Sequence, residues 1–148
     1  GGCTPRGWMA CALHLTVWSA PLHTVYKLTA PLLYTLAKND GLGKKSIGEA
    51  GLRVLSGFQC LEDLDLGHLQ VPLLDPGLAQ LSSLTGLQRL CLGGNDISSR
   101  GLRHLRGLER LRLLDLRYNK QISDRALVDL RQDLPDCAGI YQRDYPHR

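Results

Sequence analysis

Leu87-Gln-Arg-Leu90-Cys-Leu92-Gly-Gly-Asn95-Asp-Ile97 lies past the middle of a 148-residue chain, and its reading decides the fold. Leu90 and Leu92 flank a single residue, which is the period of two of a short strand with one face buried. Gly93-Gly94-Asn95 then ends that strand in a tight turn. The pattern returns on both sides, as Leu61-Glu-Asp-Leu64-Asp-Leu66 and as Leu111-Arg-Leu-Leu114-Asp-Leu116, with starts 26 and then 24 residues apart. A fourth copy, Cys137-Ala-Gly-Ile140-Tyr-Gln142, begins 26 residues after Leu111 and keeps only the first two apolar positions. It reads as a terminal, capping version.

A second landmark shares the period. Leucines three apart recur as Leu52 and Leu55, Leu78 and Leu81, Leu102 and Leu105, and Leu127 and Leu130, each pair preceded by a small residue: Gly51, Gly77, Gly101 and Ala126. That spacing is helical, so stretches such as Ser99 to Leu108 predict a helix after each strand and turn. One such unit cannot bury its own leucine face, and neighbours must stack to share a core. The composition agrees: 32 leucines against 5% aromatic residues mean a core built from Leu, and 43% hydrophobic with 22% charged residues excludes a disordered or collagen-like chain.

The stretches from Leu87 to Ile97 and from Leu111 to Asn119 resemble the leucine-rich-repeat signature L-x-x-L-x-L-x-x-N/C-x-L. In that family the Asn turns the chain out of the strand, its amide bonding to backbone groups the strand leaves free. Ile122-Ser-Asp-Arg-Ala-Leu127, followed by Leu130, Leu134 and Cys137, is similar to the ribonuclease-inhibitor-like and cysteine-containing subclasses. The resemblance implies an α/β chain: a short solenoid with parallel strands on the concave side, helices on the convex side, and a partly helical N-terminal segment. It divides the sequence into an apolar segment or degenerate cap at 1–45, repeats at 46–142 and a tail at 143–148. The first repeat departs from the pattern, with His68 and Leu69 where Asn is expected, and Pro72 and Pro76 predict an irregular start to its outer segment. No clean strand is read before Ile47.

The formal charge of +4 is too mild to demand nucleic acid or membrane. Residues 7–26 carry no Asp, Glu, Lys or Arg, but His14, Thr16, Ser19, Pro21, His23 and Thr24 interrupt the run and argue against a bilayer span. Five cysteines, Cys3, Cys11, Cys60, Cys91 and Cys137, lack the close pairs of a disulfide framework or zinc knuckle. They point to a reducing compartment, cytoplasm or nucleus. Cys91 is expected as an exposed thiol, Cys60 and Cys137 as thiols packed under the repeats. The spacings of Cys3, Cys11, His14 and His23 fit no usual zinc site, so neither metal nor cofactor is expected.

Without a Gly-Ser elbow or a Cys-His signature, the chain reads as non-catalytic, and no small-molecule substrate is implied. Gly93-Gly94-Asn95-Asp96 lacks the Lys and helix start of a phosphate loop. Arg100, Arg103, Arg106 and Arg110 form a basic stretch without an aromatic residue among them, which argues against RNA binding. The outward face of the strands is the candidate binding surface. It carries Asp63, Asp65 and His68, then Arg89 and Cys91, then Leu113, Asp115, Arg117 and Tyr118, then Tyr141: an acidic start, a small middle and an Arg/Tyr end. Arg and Tyr dominate many protein interfaces because they bury area while still hydrogen bonding. A protein partner follows as the expectation, in the role of adaptor or scaffold. The resemblance adds a substrate receptor of a ubiquitin ligase, and the apolar N-terminal part adds an assembly factor docking through it.

Overall fold

The computed structural model describes residues 27–29, 52, 55–58, 60–69 and 72–142. The membrane reading of residues 7–26, the metal reading of Cys3, Cys11, His14 and His23, and the tail at 143–148 lie outside the described residues.

Among the described residues, five three-residue strands pair in parallel and in sequence order: β1 (Lys27–Thr29), β2 (Asp63–Asp65), β3 (Arg89–Cys91), β4 (Leu113–Asp115) and β5 (Gly139–Tyr141). Their central residues, Leu28, Leu64, Leu90, Leu114 and Ile140, stand in one register row. The periodic apolar positions therefore fall into line, and Leu64, Leu90 and Leu114 are buried. β1 corrects the expectation of no strand before Ile47. Leu28 precedes Leu64 by 36 residues, a longer interval than separates the other strands, which hides it from a search at the common period.

The return segments bury their leucine pairs in the same core as the strands. Their backbones, however, differ. The first whose residues are all described, after β2, is a short helix, α1 (Asp75–Gln80), running into a 3-10 turn at Leu81–Ser83. Pro76 sits in the first turn of α1, where its missing N–H costs nothing. The second, expected as a helix, is a 3-10 segment at Gly101–Leu105. Only the third is a longer helix, α2 (Asp124–Asp133).

Local chemistry accounts for the difference. Ser123 caps α2, its Oγ accepting the Ala126 N–H at 3.3 Å, with Asp124 in the first turn and Arg131 in the last. The matching serine of the preceding unit, Ser98, is tied to Asp75, to whose carboxylate its N–H and hydroxyl both donate, and its Oγ accepts the Arg100 N–H at 3.1 Å, one residue nearer than in the Ser123 cap. Gly101 and Gly107 further weaken that segment as a helix. The small residue before two of the leucine pairs also gains a reason. A Cβ on Gly101 would run into Asp75, and one on Gly77 into Leu73.

The turns out of the strands follow the expected asparagine chemistry and add a direction to it. Asn95 donates through Nδ2 to the Leu66 carbonyl at 2.8 Å and the Leu92 carbonyl at 3.0 Å, and accepts the Leu73 N–H at 2.9 Å. Asn119 repeats the scheme on Leu92, Leu116 and the Ile97 N–H. Both side chains are buried, at 7% and 3% exposure. Each asparagine thus satisfies the turn of the unit before it as well as its own strand end. This explains why Leu69 can replace Asn in the first unit: Asn95 supplies that turn from outside. At the other end, Gln142 takes the place of the third leucine and donates to the Ile122 carbonyl at 3.1 Å, closing the last turn with a polar cap. A parallel ladder of short strands, returned through buried leucine pairs and joined by asparagines, is a leucine-rich-repeat-like α/β fold.

Candidate protein-interaction face

On the outward face the register brings most of the expected residues together. Asp63 stands beside Arg89, and Asp65, Cys91, Asp115 and Tyr141 form one row across four strands. Arg89 Nη2 meets Asp63 Oδ2 at 2.8 Å, an ion pair whose arginine side is largely exposed and which is worth well under about 1 kcal/mol. Leu113 is half-buried beside it.

Asp115, expected as a presented carboxylate, is instead buried and tied down. Its Oδ1 accepts the Arg117 backbone N–H at 3.0 Å, and its two oxygens bind the Arg117 guanidinium from Nε and Nη2. Burial alone would raise its pKa. The hydrogen bonds and charge of Arg117 outweigh burial and hold the carboxyl below its ordinary range. The same bonds hold the Arg117 charge more firmly than usual. Asp65 makes the corresponding turn bond, accepting the Gly67 N–H at 2.9 Å, but has no arginine on it among the described residues.

Cys91 is half-buried, not the exposed thiol expected. Burial pushes its pKa up, and Asp65, Asp115 and Asp63 push it the same way, so it stays a neutral thiol and a poor nucleophile. Cys137 is buried as expected, but Cys60 is disulfide-bonded. That bond corrects the reading of Cys60 as a packed free thiol.

The feature the sequence reading missed is at the eighth position of each unit, just before the asparagine place. His68, Gly94 and Tyr118 occupy it, and all three have left-handed backbones, with φ of 50°, 69° and 64°. For glycine that conformation is free; for His and Tyr it costs on the order of 1 kcal/mol each. The glycine between them has a steric role. A Cβ on Gly94 would run into the His68 ring, and without it His68 lies across Gly94 to meet Tyr118, ring centroids 5.7 Å apart and planes tilted by 52°. Tyr118 remains 50% exposed beside the Arg117–Asp115 pair, and Tyr141 is 51% exposed on the last strand. A signal was available: Gly94 aligns with His68 and Tyr118 at the same offset from each strand, and glycine marks the conformation.

The arrangement presents a ring pair, an exposed guanidinium edge and a floor of short side chains. It does not assemble a nucleophile with a base, and among the described residues no group of three or more His, Cys, Asp or Glu is placed to hold a metal ion.

No protein-family model matches the sequence, and no curated protein does. Among solved structures the chain is similar to an internalin from Listeria monocytogenes, at 19% identity and a TM-score of 0.41, over 66% of this chain and 32% of that one. It therefore spans about a third of that protein's length.

Proposed function

We propose that the chain is a non-catalytic protein-interaction module: a short leucine-rich-repeat solenoid that captures a protein partner on a concave sheet face, as an adaptor or scaffold. The contacts are made by His68, Arg117, Tyr118 and Tyr141 at the rim. Asp63, Asp65, Arg89, Cys91, Leu113 and Asp115 form the floor.

The observation that supports this reading is the His68–Tyr118 pair. Two aromatic residues occupy positions where glycine would be unstrained, and a glycine between them is what lets them touch. Strain kept at exposed rings is a cost to stability, and strained backbone clusters at sites that bind. Presentation from fixed strands also keeps the ordering cost of binding low.

The test replaces both rings with the one residue the backbone accepts freely. His68→Gly/Tyr118→Gly relieves strain while giving up one ring contact and adding freedom to the unfolded chain, so its melting temperature is expected near that of the intact chain. Removing an aromatic anchor of an interface costs about 2 kcal/mol or more, on the order of 30-fold in affinity. Capture from cell lysate, read by mass spectrometry, is expected to lose its partner with the variant. Identical captures from both chains would overturn the proposal. The identity of a captured partner separates a general adaptor from the substrate receptor of a ubiquitin ligase or an assembly factor.

A further inference from the structure

A second surface lies among the return segments. A groove of about 410 Å³ runs between the 3-10 segment Gly101–Leu105 and α2, with Arg100, Arg103, Arg106 and Arg125 along it and Asp129 and Asp133 on the α2 wall. It opens there because a 3-10 coil is tighter than the α-helix beside it.

The charges in the groove do not cancel. Asp133 holds Arg106 at 2.8 Å and Asp129 holds Arg125 at 3.4 Å, so both carboxylates are taken. Arg100 and Arg103 are exposed and have no carboxylate partner among the described residues. Arg103 spends only its Nε, on the Arg100 carbonyl at 2.8 Å, which fixes the stem of the side chain and leaves both terminal nitrogens free to donate. A trough with two unmatched guanidinium groups on one wall and occupied carboxylates on the other selects its ligand by the spacing of negative charge.

We propose that this groove binds an acidic peptide segment of a partner protein, with Asp or Glu carboxylates on Arg100 and Arg103. A peptide can space its charges so that uncharged residues pass Asp129 and Asp133. A single-stranded nucleic acid is disfavoured because no aromatic residue lines the groove to stack a base. The site is independent of the sheet face, and the two together would let one chain join two partners.

The experiment is fluorescence anisotropy on the full chain with a labelled Glu-rich peptide and, separately, a single-stranded RNA of equal length. Three proteins are compared: the intact chain, Arg100→Gln/Arg103→Gln, and the control Arg110→Gln/Lys120→Gln, which removes the same charge from exposed positions outside the groove. The groove variant is expected to lose about tenfold or more in peptide affinity, the loss of one or two charged hydrogen bonds, and the control less than about twofold. Equal losses in both variants would show a diffuse charge effect and overturn the proposal. So would tighter binding of the RNA than of the peptide, or an intact chain that binds neither. Circular dichroism melting of the groove variant confirms that the exposed exchanges leave the fold in place.

Discussion

At the turns out of β3 and β4 the same side chain, Asn95 and Asn119, makes the same set of backbone bonds, whereas the return segments after β2, β3 and β4 take three different forms. The turns must satisfy buried backbone groups of fixed geometry, and only an amide with a donor and an acceptor at the right reach does so. The return segments must only place two leucines three residues apart under the sheet, which an α-helix, a 3-10 turn or a mixture of the two achieves. Chemistry that is bonded in register repeats strictly. Chemistry that is merely buried varies.

The strictest part should break hardest. Asn95→Ala leaves the Leu66 carbonyl and the Leu73 N–H of the preceding unit without their side-chain partner, at about 1 to 3 kcal/mol for each buried group, or about 2 to 6 kcal/mol in all. Asn119→Ala should cost less, about 1 to 3 kcal/mol, because the Leu92 carbonyl keeps its bond from Asn95 and the Leu116 carbonyl keeps the Asn119 backbone N–H, so that only the Ile97 N–H is left without a partner. Urea unfolding of the two variants orders them. A reversed order would mean that each asparagine serves its own unit and not the one before it.

Smaller effects test the looser part. Gly101→Ala drives a Cβ into the Asp75 carboxylate and disturbs its bonds to Ser98, an overpacking cost of about 1 to 3 kcal/mol. Gly107 lies in the same return segment with nothing within 4 Å of a Cβ and without a positive φ. Gly107→Ala should therefore stabilise, by about 0.4 to 1 kcal/mol, through the unfolded chain. Opposite signs from two glycines six residues apart would show that contact between units, and not helix propensity, governs this segment. Two changes of the same sign would show the reverse.

The same contrast explains what could be read before the structure. β2, β3, β4 and β5 were legible because the L-x-x-L-x-L spacing is a direct image of their register, and the asparagine role was legible because it depends on residue type. β1 was not, since Val25, Leu28 and Ala30 keep the spacing of the strand but lie off the common period. The 3-10 form of Gly101–Leu105 was hidden because leucine spacing reports burial and not coil type. On the candidate face, the ion pair of Asp63 with Arg89 follows from strand alternation. The His68–Tyr118 contact does not, since it depends on backbone handedness and on the empty space above Gly94. The Cys60 disulfide escaped because its reading rested on sequence spacing alone.

The smallest expected effect separates the floor of the face from its rim. Asp115 has its folded pKa lowered from 3.8 because Arg117 outweighs burial. A carboxyl of this kind binds its proton less readily in the folded state than in the unfolded one, so it stabilises the fold above its unfolded pKa and loses that contribution as pH falls through the folded value. Arg117→Gln should lower the melting temperature near neutral pH by less than either glycine exchange alters it, because the arginine is exposed and the pair is screened. The gap between the variant and the intact chain should then narrow as pH falls below about 3.8 and close once it has fallen through the lower folded value, where protonation of Asp115 removes the pair. Melting curves that stay parallel down to strong acid would mean that Arg117 stabilises the fold by packing and not through its carboxylate. In that case its guanidinium would already be free for a partner, and the division of the face into a bonded floor and a presenting rim would have to be redrawn with Arg117 wholly on the rim.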